Sequence, residues 1–274
     1  MRPLLVALVL ALLAVAPARG QPMPVFDAHL HYNEEAFAPY PLEAVLELFR
    51  SNGVRGILAT SRPNEGTRRL VEAKAEGLRV VPFIRPYAVR ADRGTWFREE
   101  KSIELIEREL ARGGYRGIGE FHIDRGADAE HEVVKRIVAL SVRHGLWLHA
   151  HVDAATVETL FGHDPRARVI WAHTGFFTPP AEVERLLAKY PELMGELSYR
   201  SGLTEAGGAL AADWRRLFTA RPDRFLLGSD TWINERWASY GETIAAYRAW
   251  LAQLPKEAAE QIAWKNGERL FGPR

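Results

Sequence analysis

Six of the nine histidines fall on short apolar or β-branched runs: His29, His31, His122, His149, His151 and His173. The other three, His131, His144 and His163, fall on helical stretches or in loops, where solvation or capping accounts for them. Residues two apart on a strand point to the same side, so His29 and His31 share a face, as do His149 and His151. Each pair lies near the C-terminal end of its run, and Asp230 lies at the end of another. One strand-end histidine is most simply a hydrogen-bonded, partly buried imidazole. Six of them with an aspartate at the same level are poorly explained by packing. Imidazole nitrogen and carboxylate oxygen suit Zn²⁺, Mn²⁺ or Fe²⁺ with a position left open for water. Such an ion lowers the pKa of its water to about 7 and so provides a nucleophile at neutral pH. The chain has no cysteine, which excludes thiolate catalysis and cysteine metal sites. No GxGxxG follows a strand, and there is neither a P-loop nor a GxSxG elbow.

The elements that must carry these residues alternate regularly. Strands are expected at 24–31, 54–60, 79–86, 115–122, 146–152, 168–173, 193–199 and 224–230, several of them apolar on both faces as buried parallel strands are. Amphipathic helices fall between them, such as PLEAVLELFRSNG and EHEVVKRIVALSVRHG, most closing on Gly or Pro, and helices at 237–254 and 256–270 end the chain. Eight βα units without a low-complexity linker or a shift in composition predict a single (β/α)₈ TIM barrel over residues 21–274, near the typical length of about 250 residues. In that fold the active site is built at the C-terminal ends of the strands, where histidines far apart in sequence converge.

Residues 1–20 read as a secretory signal peptide: a basic start at Arg2, an apolar run from Leu4 to Val15, and Ala18 and Gly20 before a cleavage site. The apolar run is shorter than the roughly 20 residues of a membrane span, so no stable membrane insertion is expected after cleavage, and the protein is expected to be exported, periplasmic or secreted. Retention of the segment as an anchor is the other reading. The 36 Lys and Arg residues balance 35 Asp and Glu. They lie on helices with acidic neighbours, which argues against a nucleic-acid partner or an anionic membrane surface. The sequence leaves open whether the chain forms a homo-oligomer.

Together Asp27-Ala28-His29-Leu30-His31 on strand 1, Gly119-Glu120 on strand 4, His151 on strand 5, Trp171-Ala172-His173 on strand 6 and Gly228-Ser229-Asp230 on strand 8 form a set of motifs. With them the chain resembles the amidohydrolase superfamily, and more closely its amidohydrolase-related branch (amidohydrolase 2), over essentially all of residues 21–274. The resemblance implies a metal-dependent hydrolase acting on an amide, ester or lactone of a small-molecule substrate through a metal-activated water. It implies His29, His31, His151, His173 and Asp230 as metal ligands, with Asp230 also the general base and His173 or the metal stabilising the oxyanion. His149 is then expected one layer deeper. No lysine falls at a strand end, where the best-known members carry a carboxylated one, so Glu120 either bridges two ions, bonds a ligand histidine beside one ion, most simply Zn²⁺, or is a buried structural glutamate. His122 shares Glu120's face and is a candidate for contact with substrate or metal. Arg85 and Arg200 are positioned after their strands either to clamp a substrate carboxylate or to pair with acidic loop residues. Trp232, Tyr87 and Tyr32 either line the pocket or pack beneath the loops. Three other readings stand beside this one: non-oxidative decarboxylation on the same scaffold, an exported metal-binding protein without catalysis, and a phosphoesterase or nuclease, which no basic stripe supports.

Overall fold

The computed structural model describes residues 22–272, and the segment read as a signal peptide lies outside the described residues. Eight parallel strands follow one another in chain order: β1 (Val25–Leu30), β2 (Val54–Ala59), β3 (Arg79–Ile84), β4 (Gly117–His122), β5 (Trp147–His151), β6 (Val169–Trp171), β7 (Leu193–Glu196) and β8 (Phe225–Leu226). The ring closes where Asp27 bridges Leu227 and the Ala28 N–H donates to the Leu227 carbonyl at 2.7 Å. This is the (β/α)₈ barrel that the alternation predicts.

Helices α1 (Leu42–Ser51), α2 (Glu65–Glu72), α3 (Glu100–Arg112), α4 (Glu132–His144), α5 (Ala154–His163), α6 (Pro180–Lys189) and α7 (Ala212–Ala220) connect the strands. Each turns an apolar stripe inward; in α4 it is Val133, Val134, Ile137, Val138 and Leu140. That helix stops at Gly145, whose φ of 63° is the left-handed cap glycine adopts without steric cost. The two helices expected at the end of the chain are broken. The first divides at Ser239 into α8 (Asn234–Ala238) and α9 (Tyr240–Leu251), and the second into α10 (Lys256–Glu260) and α11 (Asn266–Phe271) around a π-helical turn at Gln261–Lys265. No helix among the described residues is long and apolar enough to cross a membrane.

The expected strand ends differ on one side of the ring. Strands 6, 7 and 8 leave the ladder at Trp171, Glu196 and Leu226, earlier than apolar runs to 173, 199 and 230 suggest. Beyond those points His173, Thr174, Phe176, Tyr199 and Asp230 take positive φ values of 44–57°. Non-glycine residues in that region cost about 1–3 kcal/mol each and persist only where surrounding contacts enforce them. His173 and Asp230 therefore lie on tight turns that re-aim the side chains toward the barrel axis.

Candidate metal centre

At the C-terminal mouth His29, His31, Glu120, His173 and Asp230 are at most 5% exposed, and His151 is partly buried at the rim. The outer nitrogens of three histidines are already occupied. Nδ1 of His31 donates to the Thr60 carbonyl at 2.5 Å, Nδ1 of His173 to the Ser198 carbonyl at 2.8 Å, and Nδ1 of His29 to Glu196 Oε2 at 2.8 Å. Backbone carbonyls and carboxylates only accept, so the proton of each neutral ring is on Nδ1 and the Nε2 lone pair faces inward. There, His29 Nε2 and His31 Nε2 stand 3.1 Å apart. Glu120 Oε2 lies 3.4 and 3.3 Å from them, and Asp230 Oδ1 3.5 and 3.1 Å. Four acceptors converge with one donor at their edge, Arg85 Nη1 on Glu120 Oε2 at 3.1 Å, an arrangement that calls for a cation. The other oxygen of Glu120 faces His151 Nδ1 at 2.9 Å and His173 Nε2 at 3.6 Å. Ligand atoms of His29, His31, Glu120 and Asp230 thus lie within one ion's reach, as do those of Glu120, His151 and His173, and Glu120 belongs to both groups. The donor set fits one or two divalent cations of the zinc type.

Charge tells the same story. Burial pushes the His29 pKa down, but Asp230, Glu120 and Glu196 outweigh it and hold the imidazole well above its ordinary range. Burial raises the Asp230 carboxyl, yet His29 and His31 hold it far below the carboxylate range. The surrounding carboxylates thus favour positive charge at this point.

The loops are braced for this geometry. Asp27 accepts from the Ser229 N–H at 2.8 Å and the Tyr240 hydroxyl at 2.9 Å, and the Asp230 N–H donates to the His29 carbonyl at 2.6 Å. Thr231 Oγ1 accepts from the His31 N–H at 3.0 Å. Gly228 is needed where it stands: a Cβ there would meet Glu196 Oε1 at 2.2 Å and His29 Cβ at 2.4 Å.

An amidohydrolase family model matches residues 26–272. The chain belongs to the amidohydrolase family. Among solved structures it is similar to an amidohydrolase of Burkholderia multivorans, with 18% identity over 90% of this chain and 98% of that one and a TM-score of 0.60; a second structure of that protein holds zinc. It is similar to a TatD homologue of Escherichia coli (18% identity, 91% and 98% covered, TM-score 0.62). A third similar structure is an Acinetobacter baumannii protein assigned as a 2-pyrone-4,6-dicarboxylic acid hydrolase, with citric acid bound (13% identity, 92% and 100% covered, TM-score 0.61). At these identities the likenesses bear on the fold. No curated protein sequence matches.

This amidohydrolase fold brings together His29, His31, Glu120, His122, His151, His173, Asp230 and Arg85. Arg200 is a correction: its guanidinium donates to the backbone carbonyls of Ser201 and Thr178, lies over the Trp214 ring and lines a separate surface groove. The chain turns after β7, and the positive φ of Tyr199 puts that tyrosine, not Arg200, at the mouth. Tyr32 likewise stays beneath the loops against Phe37 and Trp237, while Tyr87 and Trp232 line the pocket. His149 is fully buried one layer down, its ring 4.4 Å from that of His29 and both nitrogens without a partner, so burial holds it neutral. His122 is also held neutral by burial, and its Nδ1 is 3.0 Å from the Tyr87 hydroxyl. Burial pushes Tyr87 to about 12, so that hydroxyl keeps its proton, and the other ring nitrogen of His122, Nε2, lies 3.6 Å from Glu120 Oε1.

Glu196 is the amidohydrolase residue that sequence reasoning missed. Fully buried, it accepts from His29 Nδ1, from the His173 N–H at 3.1 Å and from Ser198 Oγ at 2.9 Å. A carboxylate inside the apolar strand Leu193–Glu196 is the signal that marks it. Arg62, Arg90, Arg93, Phe176 and Tyr199, all from loops, were also not foreseen at the pocket.

Proposed function

We propose that this enzyme hydrolyses an amide, ester or lactone of a small molecule at a two-cation centre held by His29, His31, Glu120, His151, His173 and Asp230, with Glu120 shared between the ions. The observation that carries this reading is the position of Glu120, one oxygen facing His29, His31 and Asp230 and the other facing His151 and His173. Zinc is the expected metal, from the nitrogen and oxygen donors. A divalent cation there supplies Lewis acidity, which acidifies water and polarises a carbonyl.

The chain's own groups do the rest. Asp230, held ionised by His29 and His31, is the carboxylate placed to take the water's proton and pass it to the leaving group. His122 lines the pocket with its Nε2 3.6 Å from Glu120 Oε1, and we assign to it the hydrogen bond to the developing oxyanion. That role passes to His122 because His173 spends its N–H on the Ser198 carbonyl and has only a lone pair to offer.

A second reading, non-oxidative decarboxylation at a one-metal centre, draws on Arg85, whose Nη1 already bonds Glu120 Oε2 at 3.1 Å. Esters and lactones followed by pH-stat, amides followed by amine release, and free carboxylic acids followed by CO₂ detection separate the two. Acid or amine release without CO₂ supports hydrolysis, and CO₂ release without hydrolysis overturns it. Export rests on residues 1–20, and N-terminal sequencing of the protein recovered outside the cytoplasm is expected to begin after Gly20.

A further inference from the structure

The cavity above the centre, about 580 Å³, is lined by Arg62, Arg85, Arg90 and Arg93 against only two acids, Glu120 and Asp230. These four guanidiniums are not equivalent. Arg62 is paired with Glu35 at 2.8 Å, and Arg93 holds Asp124 with two bonds of 3.0 Å. Arg85 is only 5% exposed; it pairs with Glu120 at 3.1 Å and lies over the Tyr87 ring at 4.7 Å, and its Nε is left without a partner. Arg90, exposed at the mouth, makes no hydrogen bond or ion pair among the described residues; its guanidinium lies over the Trp232 ring, 5.3 Å from the centroid. Trp232 is fixed in turn by its Nε1–H on the Tyr199 hydroxyl at 3.1 Å. The loop after β3 thus carries one unpaired positive charge, that of Arg90, beside Arg85 whose single carboxylate partner is also a proposed metal ligand, and a bound divalent cation would add to it. Electroneutrality then calls for an anion from the ligand.

Resting on the hydrolase reading of this site, we propose that its substrate is carboxylated. Arg90 takes the carboxylate at the mouth while Arg85 adds charge from the cavity wall, and the reacting carbonyl lies deeper, toward Glu120 and Asp230. A planar guanidinium fork matches the two coplanar oxygens of a carboxylate, and stacking on Trp232 holds that fork in place before the ligand arrives.

The test is calorimetric titration of the metal-loaded full chain with glutarate, with its neutral counterpart glutaramide, and with inorganic phosphate. Glutarate is expected to bind at least about tenfold more tightly than glutaramide, the scale of one charged hydrogen-bonded pair. Arg90→Ala is expected to erase most of that ratio and Arg90→Lys to restore part of it. Equal binding of glutarate and glutaramide, an unchanged ratio in Arg90→Ala, or tighter binding of phosphate than glutarate would each overturn the proposal. Because the readout is binding, a protein that hydrolyses nothing in the panel can still support the carboxylate assignment. A hydrolase that turns over neutral esters can still fail it.

Discussion

The two ends of the barrel are built from the same eight strands and share almost nothing else. At the N-terminal end the interior is filled by Phe26, Leu58, Phe83, Trp147, Ile170, Met194, Leu226 and Phe271, an apolar plug in which Phe83 and Phe271 meet edge to face at 5.9 Å. At the C-terminal end the same interior holds buried histidines and carboxylates, with strained turns after β6, β7 and β8. His149 is the layer between, touching His29 above and Phe83 below. Rigidity at one end is what allows the other to hold four facing acceptors and several unfavourable backbone conformations. The plug contributes the stability, and the mouth spends part of it on geometry.

If that division is right, substitutions at the two ends should fail in different ways. Asp230→Asn removes the proposed base and one ligand, and kcat is expected to fall about 10²–10⁴-fold in steady-state assays while the thermal midpoint changes little. Phe83→Ala inverts the pattern. Loss of a buried ring is expected to cost about 3–5 kcal/mol in denaturant unfolding, with metal content per folded chain unchanged. A Phe83→Ala protein that keeps its stability but loses metal would break the comparison.

Glu196→Gln sharpens it by acting on two proposed ligands at once, His29 through Nδ1 and His173 through its N–H. Metal affinity in a chelator competition is expected to weaken about 10–100-fold, with the fold retained. The same variant carries the smallest effect, a change in acid stability. Burial raises the Glu196 carboxyl, but His29 and His173 pull it below its ordinary 4.5. The stability it contributes is therefore complete above pH 4.5 and lost as pH falls through the lower folded value. In metal-stripped protein the urea midpoint is expected to drop less steeply for Glu196→Gln than for the parent as the pH falls below 4.5.

Much of this was legible in the sequence because parallel strands and their following helices have distinct periods. Parity alone put His29 beside His31 and His149 beside His151 on their strands, while the choice of His151 and the place of Glu120 came from the family resemblance. His173 and Asp230 were also found, but as strand residues; the turns that aim them are set by tertiary bonds, such as that from the Asp230 N–H to the His29 carbonyl, which no local pattern records. Arg200 was misplaced for the same reason, since one left-handed residue at Tyr199 reverses which side chain faces the mouth. Arg62, Arg90 and Arg93 lie on loops whose paths follow from packing rather than periodicity, and nothing in their spacing announces a common wall. Glu196 was readable and overlooked: a carboxylate in an otherwise apolar buried strand needs a partner, and His29 is that partner.

The central claim is that Glu120 joins two histidine sets into one metal centre. Elemental analysis of purified protein beside its Glu120→Gln variant tests it most directly. The account predicts about two ions per chain, falling to about one in the variant. A chain that binds no divalent metal would contradict it.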